Sequence, residues 1–469
     1  MGSEWAETSL NEVADFRNGA GVKQVHFAEN GTPLARVSDF TSDSIDISDT
    51  KFVESNHAKS WESHFIKEDD VIVATVGSWP PNWSSVVGKV VRAPRDAVGA
   101  IQNQNTCCVQ PDTRKLDNRF LFYRLKQEDF AWHAANNAGG SANQARLPVK
   151  KLGTFSFRLP PLPEQKAIAH ILGNLDDKIE LNRRMNATLE GMAQALFKSW
   201  FVDFDPVVDN ALAAGNPIPD ELAPRAEVRK KALANGTTQQ GSLDHPTLSD
   251  PKSLFPASFQ QTDELGWIPE GWEVRPLDKI AHYQNGLALQ KFRPKDGEIP
   301  MPVVKIAQLK TGEPTWDETA SPSIKPECIL NDGDVVFSWS GSLMVTLWCG
   351  GQAALNQHLF KVTSQDYPKW FFLEWTKKHL EDFQRIAADK AVTMGHIKRS
   401  HLSEAMCLVP SATLIEEGSR IIPPIIDRLI SNELENRTLI QLRDTLLPKL
   451  ISGELRLPEA EHFIEKALP

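Results

Sequence analysis

Leu159-Pro160-Pro161-Leu162-Pro163-Glu164-Gln165-Lys166-Ala167-Ile168 opens a stretch in which Ile168, Leu172, Leu175, Ile179, Asn182, Asn186, Leu189, Ala193, Leu196 and Trp200 follow one another in steps of four and three. Proline suits the residues at and just before a helix start, and apolar positions alternating by four and three form a heptad seam. At about 1.5 Å per residue, a helix over 168–200 is about 50 Å long. Adding 250 to each number gives Gly418, Ile422, Ile425, Leu429, Asn432, Asn436, Leu439, Arg443, Leu446 and Leu450, a second seam with asparagines at the same two places. If the helices pack antiparallel about a pseudo-two-fold, residue i faces residue 618 − i, so Asn182 meets Asn436 and Asn186 meets Asn432. Parallel packing also matches asparagine with asparagine, so the direction stays open at this level. Asparagines at a seam cost stability unless they pair, and in pairing they fix register. The bland alternative is a solvated margin. Ile171, Met185, Met192, Phe197 and Phe201 stand off the seam and suggest that further helices pack there.

Working outward, the repeat extends over the rest of the chain. Trp5, Leu10 and Asn18-Gly19 recur as Trp272, Leu277 and Asn285-Gly286, displaced by 267. Asp70-Val71 and Gly77-Ser78 recur displaced by 264, Asn103-Gln104 and Val109 by 253, and Leu152, Pro160 and Asp177 by 250. A collinear series whose offset drifts in small steps is what loop insertions and deletions leave behind. Before each long helix lies a globular part of short β-rich runs, such as 71–76 and 335–339, with helical stretches near 120–129 and 370–385. The sequence therefore predicts a domain over 1–163, a long helix over 164–203, a linker over 204–261, a second domain over 262–413, a second long helix over 414–457 and a tail over 458–469. The linker is rich in Pro, Gly, Ala, Ser and Gln and reads as extended, with one short helix near 220–234.

The 469 residues carry 51 Lys and Arg against 61 Asp and Glu, a formal charge of −10, with 41% hydrophobic and 24% charged residues. Such a composition excludes a largely disordered chain, and no apolar run approaches the roughly 18 residues of a membrane span. The start shows no signal or myristoylation pattern, and five scattered cysteines without C-x-x-C spacing fit a reducing, cytoplasmic setting and no zinc site. No G-x-G-x-x-G or G-x-x-x-x-G-K-S/T motif is present, so no phosphate cradle is indicated. Trp79-Pro80-Pro81-Asn82 has the wrong flanks for an amino-methyltransferase tetrad. Pro219-Asp220 with Glu227-Val228-Arg229 imitates a metal nuclease but lacks its lysine, and His57 and His64 have no obvious ligand scheme. No catalytic, cofactor-binding or metal-ligating residues are assigned.

The negative total hides an uneven distribution. No acid lies between Asp129 and Glu164, a stretch holding Arg146, Lys150, Lys151 and Arg158. Its counterpart between Asp389 and Glu404 holds Lys390, Lys398 and Arg399 with His396 and His401. Near the start of each domain, Arg17, Lys23 and His26 match Lys279, Lys291, Arg293 and Lys295 with His282. Asn18, Gln24, Asn143 and Gln144 in copy one, and Gln284, Asn285 and Gln290 in copy two, add side chains able to read base edges. A single such loop would pass as a solvated surface, but matched loops in both copies favour nucleic acid. The expected DNA contacts are Arg17, Asn18, Lys23, Gln24, Asn143, Gln144, Arg146, Lys150 and Lys151, then Lys291, Arg293, Lys295, His396, Lys398 and Arg399.

Leu159 through Ile168, continuing to Leu175-Asp176 and Phe201-Val202-Asp203-Phe204-Asp205-Pro206, resembles the central region of the DNA-specificity subunit of type I restriction–modification systems. Phe255-Pro256 and Glu264-Leu265-Gly266-Trp267-Ile268-Pro269-Glu270-Gly271-Trp272 resemble the entry to that family's second recognition domain, and Thr393-Met394-Gly395-His396-Ile397-Lys398 a segment near such a domain's end. The resemblance implies an α+β fold: two similar target-recognition domains separated by a long antiparallel two-helix coiled coil. It implies that each domain reads half of a bipartite site in double-stranded DNA, and that the helices space the half-sites. They would also recruit two methyltransferase subunits, which bind S-adenosylmethionine and methylate adenine, beside a restriction and translocase subunit using ATP and Mg²⁺. This chain would hold no cofactor and touch no membrane. Copy two has Pro410-Ser411-Ala412-Thr413-Leu414-Ile415-Glu416-Glu417 in place of the proline-rich string, so its helix start and partner contact are expected to differ. The rival readings are a coiled-coil scaffold that binds no DNA and a stand-alone DNA-modifying enzyme.

Overall fold

The computed structural model describes residues 5–82, 85–235, 251–389 and 395–467. These form two compact units, one comprising the chain up to Ile179 together with Thr438 onward, the other Glu180–Arg437. The division falls inside the long helices rather than at their ends, so each unit contains one globular part and half of each helix. The helices run Leu162–Phe201 and Ala412–Ser452. Their starts differ by the same 250 residues, so the altered string in copy two leaves the start in place and changes only how it is held. Gln165 accepts from Asp117 N at 2.8 Å and donates to the carbonyls of Lys115 and Pro160 at 2.9 and 2.8 Å. Ser411 Oγ instead accepts from Leu414 N at 3.4 Å.

In the first unit, Ala6–Ser9 pairs antiparallel with Ser156–Leu159, joining the domain's beginning to its end. The central antiparallel sheet has the order Ala14–Asn18, Thr106–Pro111, Val71–Ala74, Val90–Arg92. The apolar run Val71–Ala74 is buried along its whole length. Its period of two sends Val71 and Val73 to one core cluster and Ile72 and Ala74 to another, which is why it reads as continuous rather than alternating. A second sheet adds Thr32–Ala35, parallel to Ile101–Gln102 and antiparallel to Lys51–Val53. The stretch expected to be one helix near 120–129 is two, Asn118–Leu125 and Glu128–Asn137. Arg124 closes the break: its guanidinium pairs with Asp129 at 2.8 and 2.5 Å and lies 4.8 Å from the Phe155 ring centre.

The second unit repeats this internal plan. Glu273–Pro276 pairs with Met406–Val409, and the central sheet runs His282–Asn285, Leu359–Thr363, Asp334–Ser338, Met344–Trp348. Val335 and Phe337 enter one cluster and Val336 another, as in copy one. The helical stretch near 370–385 is again split, into Lys369–Lys378 and Leu380–Asp389.

Within this unit the helix halves pack antiparallel. Asn182 Nδ2 donates to Asn436 Oδ1 at 3.0 Å and to Glu435 Oε2 at 2.8 Å. Asn432 Nδ2 donates to Asn186 Oδ1 at 2.8 Å, and Asn186 Nδ2 to Glu433 Oε1 at 2.6 Å. All four asparagines are buried, so removing one partner strands an amide at a cost of about 1–3 kcal/mol. The off-seam side chains differ from expectation. Ile171 is buried in the first unit's core and Phe197 and Phe201 in the second's, Met185 is half-buried, and only Met192 stands exposed. Phe201 lies 5.7–5.9 Å from Trp272, Trp370 and Phe371. The globular parts cover these helix faces, so no further helices are needed.

One expectation about the linker is corrected: it is not extended over 205–214, where Asp205–Ala214 is a helix, while the short helix expected near 220–234 is found at Ala223–Ala234. Asp205 and Asp209, one turn apart, receive the paired nitrogens of Arg225 at 2.6 and 2.6 Å and of Arg229 at 2.8 and 2.5 Å. Bidentate pairs of this kind give a polar segment a fixed structure without a large core. The tail holds a helix, Leu457–Ala467, which buries Ala460 and lays Leu457 and Ile464 on the first unit's core. Linker residues 236–250 lie outside the described residues.

Glu374, buried beside Lys377, which also pairs with Glu190, supplies a pH signature. Burial pushes its carboxyl up to about 7; Lys377 opposes this and Glu190 reinforces it. An acid whose folded pKa exceeds its unfolded value releases its proton more readily when unfolded, so its stability contribution is present at pH 4–5 and is lost as pH rises through 7. Glu374→Gln is therefore expected to gain on the wild type as pH rises from 5 to 8, by about 2 °C or more in thermal unfolding. A constant difference across that range contradicts the assignment.

Candidate nucleic-acid interface

In the first unit, four separate segments are stitched into one edge. A Cβ on Gly19 would lie 1.9 Å from the Asn103 carbonyl, so only glycine lets the loop pass there. Ala20 N then bonds Gln102 O at 2.7 Å, and Gln104 N bonds Ala20 O at 2.9 Å. Thr75 N bonds Asn105 O and Leu147 N bonds Thr75 O, both at 2.8 Å. Beyond them, Gln144–Arg146 pairs with Val76–Gly77 on one side and Gly139–Ser141 on the other. The loop after Asn18 and the hairpin 139–146 thus converge on residues 75–77 and 102–105.

This edge carries most of the predicted residues of copy one. Asn18, Lys23, Gln24, Asn143, Gln144, Arg146, Lys150 and Lys151 are exposed. Ala145 is fully buried, so its neighbours Gln144 and Arg146 share the outward face, with Arg146 Nη2 donating to Gln144 Oε1 at 3.3 Å. A two-stranded ribbon of this width can enter a DNA major groove. Trp79 Nε1 donates to Ser141 O at 2.8 Å and ties the hairpin to the strand beside it. In the sequence Trp79 stood out only as part of a failed enzyme motif.

Arg17 is placed differently. Its Nη2 donates to Asp70 Oδ2 at 2.6 Å and its Nε to Gln102 Oε1 at 3.3 Å, so it braces the edge from within. His64 Nδ1 bonds the Asn18 carbonyl at 2.8 Å, and His57 Nδ1 meets Glu54 at 3.0 Å. Both histidines support loops.

The second unit builds the equivalent edge. A Cβ on Gly286 would lie 2.2 Å from Asn356 O, and Leu287 N bonds Leu355 O at 2.9 Å. Trp339 N reaches His358 O at 3.4 Å, Ile397 N bonds Trp339 O at 3.1 Å, and Ser340 bridges to His396. His396 thus takes the place of Arg146. Lys291, Arg293, Lys295, His396 and Lys398 are exposed. Arg399 is exposed as well but tethered: its Nη2 donates to Tyr283 O at 3.1 Å and its guanidinium lies 5.4 Å from the Phe360 ring centre. Lys390, Thr393 and Met394 lie outside the described residues. Trp339 and His358, with His358 Nδ1 3.0 Å from Ser340 Oγ, belong to this edge but showed no signal in the sequence.

Among the described residues, no group of three His, Cys, Asp or Glu side chains is placed to hold a metal ion. The nuclease-like string is dispersed, because Arg229 is committed to Asp209 and Glu227 to Lys230. No described helix is long and apolar enough to cross a membrane.

The family described as the type I restriction modification DNA specificity domain matches the chain over residues 2–191 and 269–443. The type I restriction enzyme HindI specificity subunit of Haemophilus influenzae is 24% identical over 411 residues, 83% of this chain and 87% of that protein. The MjaIX specificity subunit of Methanocaldococcus jannaschii is 23% identical over 358 residues, 73% of this chain and 70% of that one. The crystal structure of a type I restriction–modification S subunit from M. genitalium aligns over 95% of this chain and 96% of its own, with 14% identity and a TM-score of 0.52, a likeness of fold. Each matched segment contains one of the two exposed basic edges and most of one long helix, and together the segments span well over half of the sequence. The chain belongs to the type I restriction–modification specificity subunits, the non-catalytic components of those enzymes.

Proposed function

We propose that the chain selects DNA by reading a bipartite double-stranded site, one half with the edge of each unit. The observation that carries this reading is the recurrence of an exposed, cation-rich edge at the same topological place in both copies. Lys23, Lys150, Lys151, Lys291, Lys295 and Lys398 hold phosphates. Asn18, Gln24, Asn143, Gln144, Arg146, Arg293 and His396 face the bases or the sugar–phosphate margin. Arg17 and Arg399 act by holding the edges in place.

The long helices recruit two methyltransferase subunits and, through them, a restriction and translocase subunit. Leu181 and Met192, exposed on the first helix, support such docking. S-adenosylmethionine, ATP and Mg²⁺ bind those partners in the cytoplasm, and this chain holds no cofactor. The four paired asparagines set the helix register.

Footprinting of the chain assembled with its methyltransferase subunits tests the reading. Two protected patches separated by an unprotected stretch are expected, with modified adenines inside them. The purified chain alone, given DNA, Mg²⁺ and S-adenosylmethionine, is expected neither to cleave nor to methylate. A single continuous patch contradicts bipartite reading, and no protection at all leaves the scaffold reading in its place.

A further inference from the structure

The most exposed large apolar side chain among the described residues of each unit lies in the same loop. Val25 is 80% exposed and Ile299 is 85% exposed. Val25 sits between the strands Ala14–Asn18 and Thr32–Ala35, and Ile299 between their counterparts His282–Asn285 and Met301–Val304. Val25 lies in the 3-10 turn Gln24–His26 near the start of this connection and Ile299 two residues before the strand that ends it. One exposed aliphatic residue is ordinary, but the extreme of each unit falling in the same inter-strand connection is not.

Both loops are pinned next to this side chain. His26 N bonds Lys23 O at 3.0 Å, and the His26 ring packs 5.0 Å from His57 and 5.5 Å from Trp61. In copy two, Glu298 accepts from Lys295 N and Ser323 Oγ, both at 2.9 Å. Valine and isoleucine are stiff at χ1, so each apolar tip is presented with little freedom left to lose. Exposed cations share both loops: Lys23 in one, and Lys291, Arg293 and Lys295 in the other. Cations hold the phosphate margin of a groove, and in the major groove the distinctive apolar feature of a base pair is the C5-methyl group of thymine.

We propose that Val25 and Ile299 each contact a thymine methyl group, one in each half-site, and so help to set specificity. This rests on the DNA-reading function proposed above. The test uses the chain assembled with its methyltransferase subunits and a duplex carrying the footprinted site, with thymines replaced one at a time by deoxyuridine, which lacks only the methyl group. For the wild type, one position in each half-site is expected to weaken binding about 3- to 10-fold, the scale of one buried methyl group. Val25→Ala is expected to lose that sensitivity in one half-site and Ile299→Ala in the other, with unchanged thermal unfolding because both side chains face solvent. Wild-type binding indifferent to every replacement overturns the proposal, as does full sensitivity retained in both variants; in either case normal binding leaves the DNA-reading function standing. A wild-type assembly that binds no duplex overturns both.

Discussion

With Arg146, Lys150 and Lys151 all changed to glutamate, the assembled methylase is expected to lose protection of one half-site and more than a thousandfold in affinity at moderate salt. The three side chains stand exposed on the hairpin and the short helix Val149–Leu152 beside it. Arg146 makes only a 3.3 Å bond to Gln144. Their replacement therefore leaves Ala145, Leu147 and Leu152 buried and the unit folded. What changes is the interaction with DNA. Each lost phosphate contact lowers the slope of log affinity against log salt by about 0.9, so the slope is expected to fall by two to three. Lys398→Glu is the matched change in copy two and is expected to act on the other half-site. Arg17→Glu is unsuitable as a test, because it would set a carboxylate against Asp70 inside the edge and weaken binding through misfolding. Unchanged affinity and salt dependence in the folded triple variant remove the hairpin from the interface.

The contrast between Arg146 and Arg17 shows how far the sequence could be read. Periodicity is a local property, so the seam from Ile168 to Trp200 and the buried run at Val71 were legible. Repetition exposed the shared plan because matching residues such as Asn18-Gly19 and Asn285-Gly286 occupy positions where backbone passes backbone. Charge could be counted, but what each cation is committed to depends on partners far along the chain. Arg17 meets Asp70 and Arg399 meets the Tyr283 carbonyl, contacts that no spacing rule signals. The linker misled over 205–214 for a similar reason: its composition suggested loop there, whereas Asp205 and Asp209 meet Arg225 and Arg229 of the expected second helix at matched one-turn spacings and order it through ion pairs. The off-seam aromatic residues of the first helix suggested absent partners, because the sequence does not show that Trp272 and Trp370 return to cover Phe201.

Lengthening the two helices is expected to change the number of base pairs between the half-sites while leaving the half-site sequences alone. Four residues inserted after Ile179 and four after Arg437 fall where the two compact units divide. The four asparagine partners all lie on one side of both insertions, so their pairing and the helix register survive. Each insertion adds about 6 Å of helix and about 400° of rotation, a net advance of about 40°. A duplex advances about 3.4 Å per base pair and turns once in about 10 to 10.5 pairs, or roughly 35° each. If the helices run along the duplex, translation favours one or two extra pairs and rotation favours one, so a spacer longer by one pair is the expected outcome. Inserting four residues in the first helix alone is expected to shift the spacing too, with weaker modification, because the second helix then fails to match the added length. Sequencing the methylated adenines in DNA from cells expressing each variant with its methyltransferase reads the spacing directly. An unchanged spacer in a variant that still methylates both half-sites shows that something other than these helices sets the distance.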